Sequence, residues 1–237
     1  MGIFDILGSY FPLFLEATWV TLRISAAAIA MAMVFGAFVA ALAMSRIRVL
    51  RWLATAYIGL VRGTPLITQI FIIYFGLTMV VTLPAFWAGA LALAFHNSAY
   101  IAEIIRSGFQ AVPKGLTEAS RSLGMSKVKT LKRVQAPLAL RTTLPVMGNQ
   151  YIIAVKDSSL VSFIGMTELF QTSRNIAAST YREMESYIVV ALFYLIIVLA
   201  LTAVVNWLEH RLNAHRRPTQ EEHEVAVEAK ARAEGGA

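Results

Sequence analysis

Four ionisable side chains lie inside or beside long apolar runs, and they are the groups with which this sequence could do chemistry: Arg62, Glu103, Lys156 and Asp157. A charge at the centre of a bilayer costs about 2.5–3.5 kcal/mol on insertion scales, so such groups face a cavity or a partner rather than lipid. Arg62 precedes Gly63-Thr64-Pro65, where Pro65 has no N–H, frees a backbone carbonyl and opens a kink. Glu103 and Arg106 are three residues apart, the spacing of a structural ion pair on one helix face. Asp157 is the best candidate for holding a bound cation, because a carboxylate out of water pairs strongly with an ammonium or guanidinium. Two placements are open for it and Lys156: inside the membrane if their helix runs past Val155 toward Gly165, or at the outer interface if the helix ends at Val155.

Other chemistries lack the residues to carry them. There is no Cys, hence no disulfide framework, thiol nucleophile or Cys-based metal site. No Gly-x-x-x-x-Gly-Lys-Ser/Thr occurs, so no loop is built to cradle nucleotide phosphates. No Ser-His-Asp arrangement or clustered His set stands out, and His96 reads as a packed, hydrogen-bonded histidine rather than a metal ligand.

The elements that must position these groups follow from composition. Of 237 residues, 57% are hydrophobic and 15% charged, against roughly 45–50% and about 25% in soluble domains. No charge occurs from Ile24 to Ser45, from Gly63 to Ala102, or from Ser186 to Leu208. About 20 apolar residues in a helix cross a ~30 Å hydrocarbon core. The expected fold is therefore an all-α polytopic membrane protein with five transmembrane helices, at about 18–44, 54–80, 85–105, 138–160 and 187–207. Thr82-Leu83-Pro84 separates the second from the third. Gly59 and Gly63 fit the small-xxx-small pattern of close helix packing. Residues 1–16 form an external N-terminal segment without the basic n-region of a cleavable signal peptide, so the first span is expected to be retained. Residues 213–237 form a polar, disordered cytoplasmic tail.

The net charge of +7 falls mostly on one side. Lys and Arg number three at 46–51, seven at 106–133 and three at 211–217, against two from Met166 to Ser186 and none in the N-terminal segment or the Pro84 turn. By the positive-inside rule the N-terminus is outside and the C-terminus cytoplasmic.

The cytoplasmic loop at 113–137 carries the most information. Two short helices are expected, Leu116 to Leu123 and Lys127 to Val134, with Gly124 stopping the first and Ser126 capping the second. A DNA-binding helix-turn-helix is excluded for want of room: spans begin within about a dozen residues on both sides, leaving no third helix to complete a core.

Glu118-Ala119-Ser120, then Gly124, then Val134-Gln135-Ala136-Pro137 resembles the EAA loop of ABC importer permeases. Ser120, Val134 and Ala136 replace the usual Ala, Ile and Leu. Arg62-Gly-Thr-Pro-Leu66 with Gln69, Ala99-Tyr-Ile-Ala-Glu-Ile-Ile-Arg106, and Lys156-Asp-Ser-Ser-Leu-Val161 with Ile164-Gly165 are similar to the type I subfamily that imports polar amino acids, over about residues 17–212. The resemblance implies a permease of the bacterial inner membrane, paired with a second copy or paralogue, two ABC ATPase subunits that carry ATP and Mg, and an external solute-binding protein. It implies an ATPase-coupling helix at 116–124, with Glu118, Ala119, Ser120, Leu123 and Gly124 at the dock. It also implies a substrate pathway through Arg62, Thr64, Gln69, Lys156, Asp157 and Ser158, with Pro65, Glu103, Arg106 and Pro137 structural. The chain itself is then not an enzyme and holds no cofactor. Its basic charges meet membrane lipid, not nucleic acid. The alternative from another class is a stand-alone secondary transporter or channel driven by an ion gradient.

Overall fold

Alanine, glycine and serine crowd the stretch from Ala85 to Gln110, and that stretch becomes the helix around which the others pack. The computed structural model describes residues 2–213, and the regular elements among them are all helical. Helix α4 (Ala85–Gln110) has 67% of its most apolar window buried, against 28% for α9 (Glu183–Asn213). Small side chains let neighbouring backbones approach, which is how helices associate where lipid removes the hydrophobic drive. A Cβ on Gly36 would stand 2.8 Å from the Ser98 carbonyl and from Ile101, which measures how closely α1 (Ile3–Ala43) lies on α4.

Helix α1 is one continuous element of 41 residues, about 60 Å at 1.5 Å per residue. The segment expected to precede the first span is therefore its N-terminal part, and it is packed against other helices. Ile6, Phe14 and Ala17 pack into a core with Leu169, Ile176, Val189 and Phe193.

The second span is not the single helix expected at 54–80. It divides into α2 (Arg48–Gly63) and α3 (Leu66–Thr78), bent by 108° at Thr64-Pro65. Gly59 and Gly63 have nothing within 4 Å of a Cβ position, so the small-xxx-small pattern has no packing partner among the described residues.

The loop carries α5 (Lys114–Ser122) and α6 (Lys127–Thr130), and Ser126 caps α6 by accepting from the Lys129 N–H. The second loop helix does not end before a separate fourth span. It passes through a π turn at Leu131–Gln135 directly into α7 (Ala136–Asp157), the Ala136 N–H reaching back five residues to Leu131 beside Pro137, which has no N–H to give.

After Asp157 the chain tightens into a 3₁₀ helix, Ser158–Ile164, which Gly165 ends with φ +80°. Helix α8 (Leu169–Thr180), not expected from the sequence, follows before α9. Large apolar side chains such as Phe35, Phe38, Leu195 and Leu199 are exposed, the inversion expected of a lipid-facing surface. Trp52, Trp87 and Trp207, near helix ends, are at least half exposed, as aromatic residues at a bilayer interface are.

Among the described residues three helices (α1, α4, α9) are long and apolar enough to cross a membrane, and a fourth crossing is available if α2 and α3 form one broken span. The span expected at 138–160 corresponds to α7, whose Arg141, Lys156 and Asp157 dilute its apolar character. The tail expected beyond Asn213 lies outside the described residues.

Candidate functional site

The break between α2 and α3 is a repaired one. In an unbroken helix the Val61 carbonyl would accept the N–H of residue 65, and Pro65 has none. The Gln69 side chain folds back to fill the place. Its Nε2 donates at 2.7 Å to the Val61 carbonyl, at 3.2 Å to the Thr64 carbonyl and at 2.7 Å to Thr64 Oγ1. Thr64 Oγ1 in turn donates to the Leu60 carbonyl at 2.9 Å. The other end of the Gln69 amide meets His96 Nδ1 of α4 at 3.0 Å.

This corner opens on a cavity of about 400 Å³, lined among others by Thr64, His96, Tyr100, Gln150, Ile153 and Asp157. The volume is within the roughly 300–1,000 Å³ range of small-molecule sites. Three elements supply its polar groups: the α2–α3 corner, α4, and α7. Gln150 Nε2 donates to Asn97 Oδ1 at 2.8 Å, and Asn97 Nδ2 donates to the Leu93 carbonyl at 2.8 Å, so α7 is tied to α4 by a buried amide pair. The Arg62 guanidinium carbon lies 5.3 Å from the Tyr100 ring centroid, within cation–π range.

Asp157 is the last residue of α7, half-buried, with the 3₁₀ turn continuing beyond it. The helix therefore does pass Val155, and Asp157 lines the cavity while Lys156 is exposed and lines a different one with Tyr187 and Tyr194. Arg62, Thr64, Gln69 and Asp157 are thus brought around one corner. Ser158 is not among them: its hydroxyl is buried and donates to the Val155 carbonyl at 2.8 Å. Glu103 and Arg106 form a bidentate pair, with N–O distances of 2.9 and 2.7 Å. His96 is hydrogen-bonded as expected, but it also faces the cavity, a role its isolation in the sequence did not suggest.

Glu168 was not singled out from the sequence. Its fully buried carboxylate caps α8 by accepting from the Phe170 N–H at 2.9 Å and the Gln171 N–H at 2.7 Å, and from the Tyr194 hydroxyl at 3.0 Å. Glu is not among the favoured cap residues, which is why no helix start was seen there. It lies between α7 and α9, outside the expected spans, and burial pushes its carboxyl up to about 7, against the opposing pull of those three hydrogen bonds.

The loop between α4 and α7 presents a second candidate surface. Helix α5 ends in a Schellman motif: the Met125 N–H bonds the Ser120 carbonyl at 3.1 Å, the Gly124 N–H bonds the Arg121 carbonyl at 3.0 Å, and Gly124 takes φ +78°. Ser120 is buried inside the loop, its hydroxyl donating to the Thr117 carbonyl at 2.9 Å, and Gln135 reaches Thr117 Oγ1 at 3.0 Å. Glu118 and Ala119 stay exposed, and so do Leu116 at 45% and Leu123 at 83%. Exposed leucines thus flank an acidic residue on a short helix with a well-defined end. Pro137 lies exposed at the start of α7.

The family described as "Binding-protein-dependent transport system inner membrane component" matches residues 32–214. "Probable glutamine ABC transporter permease protein GlnM" of Bacillus subtilis (strain 168) is 37% identical over 209 residues, which are 88% of this chain and 97% of the relative. "Arginine transport system permease protein ArtQ" of the same organism is 32% identical over 206 residues, 86% of this chain and 94% of the relative. Among solved structures, "Crystal structure of an amino acid ABC transporter with histidines" superposes with a TM-score of 0.83 at 38% identity, over 89% of this chain and 99% of that one.

Proposed function

From the premise that the chain belongs to the family of binding-protein-dependent transport system inner membrane components, we propose how its parts divide the work of a polar amino acid importer. The chain is the membrane permease subunit of an ABC importer of amino acids, and the secondary-transporter alternative has no support among its relatives. Such permeases work with an ATPase and an external binding protein.

The finer assignment is ours. Two ATPase subunits, carrying ATP and Mg, dock on the α5 face through Glu118, Ala119, Leu123 and the turn at Gly124. A second permease copy or paralogue completes the pathway. The five expected spans, with α7 as the fourth, place the N-terminus outside and the basic loop in the cytoplasm beside lipid headgroups. The π turn joins α6 to α7 without a break, and Gln135 in that turn is tied to Thr117 of α5 at 3.0 Å, so movement of the docked helix is passed to α7 and along it to Gln150 and Asp157.

One observation carries the substrate assignment: Asp157, at the end of α7, shares a cavity with the broken corner of the second span. A carboxylate there can hold an ammonium that has left water. The test is reconstitution of the complex with its ATPase and binding protein in liposomes. Asp157→Asn should cut uptake and the stimulation of ATP hydrolysis by loaded binding protein, with assembly and basal hydrolysis unchanged. Full uptake by that variant would remove Asp157 from the pathway. ATP hydrolysis that never responds to loaded binding protein would count against the coupling assignment.

A further inference from the structure

A cavity of about 500 Å³ lies between the N-terminal part of α1 and α8, and the transport pathway described above does not use it. Its polar lining is short of partners. The Glu16 carboxylate and the hydroxyls of Tyr10, Thr167 and Thr172 line it, and none of them makes a side-chain hydrogen bond or ion pair among the described residues. Thr172 is the telling one, because it is only 8% exposed. A helical threonine ordinarily gives its proton to a carbonyl one turn back, as Thr180 of the same helix does to Ile176 at 2.7 Å. The Thr172 hydroxyl does not, and the cavity is where it can find a partner. No Lys or Arg is among the lining residues, so the formal charge of the cavity is that of Glu16. A group suited to it is a cation that brings N–H donors.

The place of the cavity along α1 narrows the choice. From Ile24 to its end at Ala43, α1 carries no charge over about 30 Å, the thickness of a hydrocarbon core. Arg23 is thus at the edge of that core and Glu16 about 10 Å beyond it, at headgroup depth. Trp19, 61% exposed between them, is the kind of aromatic residue found at that boundary. Seven residues return a helix almost to the same face, so Glu16, Val20 and Arg23 form one stripe, acid outermost and base toward the core. Arg23 is exposed, lies 5.9 Å from the Phe86 ring centroid and makes no ion pair among the described residues. A phospholipid with an aminoethyl headgroup carries its charges in the same order, the phosphate joined to glycerol at the core edge and the ammonium at the far end. We propose that the α1–α8 cavity and this stripe bind one such phospholipid in the outer leaflet, its primary ammonium on Glu16 and Thr172 and its phosphate on Arg23. Leu13, Val20 and Ile176 supply apolar walls. A primary ammonium has three N–H donors, a choline headgroup has none, and a glycerol headgroup has no positive charge, so the site distinguishes the three. The bound lipid links α1 to α8, which the 3₁₀ turn and Gly165 connect to the end of α7.

The choice of leaflet rests on the orientation proposed above, with the N-terminus outside, and the experiment tests it apart from the headgroup. Delipidated permease–ATPase complex is mixed with equal amounts of phosphatidylethanolamine, phosphatidylcholine and phosphatidylglycerol of one chain composition, and the lipid it retains is read by native mass spectrometry. Phosphatidylethanolamine should be retained about tenfold over phosphatidylcholine, the worth of one charge-assisted hydrogen bond. Glu16→Gln should bring the two to the same level, Thr172→Val, which keeps the side-chain shape, should lower phosphatidylethanolamine alone, and Arg23→Gln should lower all three lipids. Equal retention by the unmodified complex, or a preference untouched by Glu16→Gln, would overturn the proposal. Weaker docking of the external binding protein to Glu16→Gln, with lipid retention unchanged, would also overturn it and assign the cavity to that partner. Because the chain has no Cys, Ser9→Cys reports the side of the membrane. A membrane-impermeant maleimide should label it in intact cells stripped of their outer envelope. Labelling from the cytoplasmic side alone would overturn the orientation and the outer-leaflet placement, whereas the headgroup preference would stand or fall on the lipid measurements.

Discussion

The side-chain nitrogen of Gln69 stands 2.7 Å from the Val61 carbonyl, in the place of the N–H that Pro65 cannot supply. A side chain four residues beyond the proline thus completes the last turn of α2 while the chain turns by 108°. Gln69→Leu keeps the bulk and leaves the Val61 carbonyl buried without a donor. An unsatisfied buried acceptor costs about 1–3 kcal/mol. The thermal midpoint of the purified protein should fall by several degrees, and a midpoint equal to that of the unmodified chain would show that the bond is not needed.

Gly124 closes α5 with φ +78°, in a region where a Cβ costs roughly 1–2 kcal/mol, and nothing stands within 4 Å of the position. The objection to a side chain is therefore backbone strain rather than crowding. Gly124→Val should weaken co-purification of the ATPase and lower ATP-driven uptake, whereas Gly124→Asn, which tolerates this conformation, should keep most of both. Equal behaviour of the two variants would point to side-chain size instead.

Glu168 makes stability depend on pH in a direction that can be worked out. Its carboxyl titrates near 7 in the folded protein and near 4.5 when unfolded, so between these values the folded state holds a proton that the unfolded state has lost. Its contribution is then full below about pH 4.5 and is lost as pH rises through about 7, a change on the order of 3 kcal/mol. The melting temperature should fall between pH 5 and 8, and Glu168→Gln should flatten that slope. A slope unchanged by the substitution would assign the pH response to other groups.

Two glycines should behave oppositely. Gly36→Val places atoms where Ser98 and Ile101 already stand and should prevent α1 from seating on α4, seen as loss of folded protein in detergent. Gly59→Ala, with open space around it, should change neither yield nor melting temperature by more than a fraction of the Gly36→Val effect. A sensitive Gly59 would indicate that the small-residue pattern packs against another subunit.

The class of this protein was legible because its physics is one-dimensional. Long charge-free runs, the pattern of Lys and Arg, the proline at 65 and the Gly124 and Ser126 punctuation of the loop act over a few neighbouring residues, and each has the effect its local chemistry dictates. The ion pair of Glu103 with Arg106 belongs here too, since one helical turn joins them. Helix α8 escaped because its cap is a Glu, favourable only where burial and the Tyr194 hydroxyl from 26 residues away support it.

Sequence alone determined that the chain is a membrane protein, where along it the charges cluster and how the loop between α4 and α7 is punctuated, since these follow from residue type and local spacing. Tertiary structure decided the rest. It set how far the second span bends, because the bend needs Gln69 and His96 from different helices. It separated Lys156 from Asp157, because a step of one residue on a helix turns a side chain by about 100°. It also tied the His96 and Gln150 side chains to Gln69 and Asn97, because those partners lie 27 and 53 residues away in the chain and meet them only in the fold.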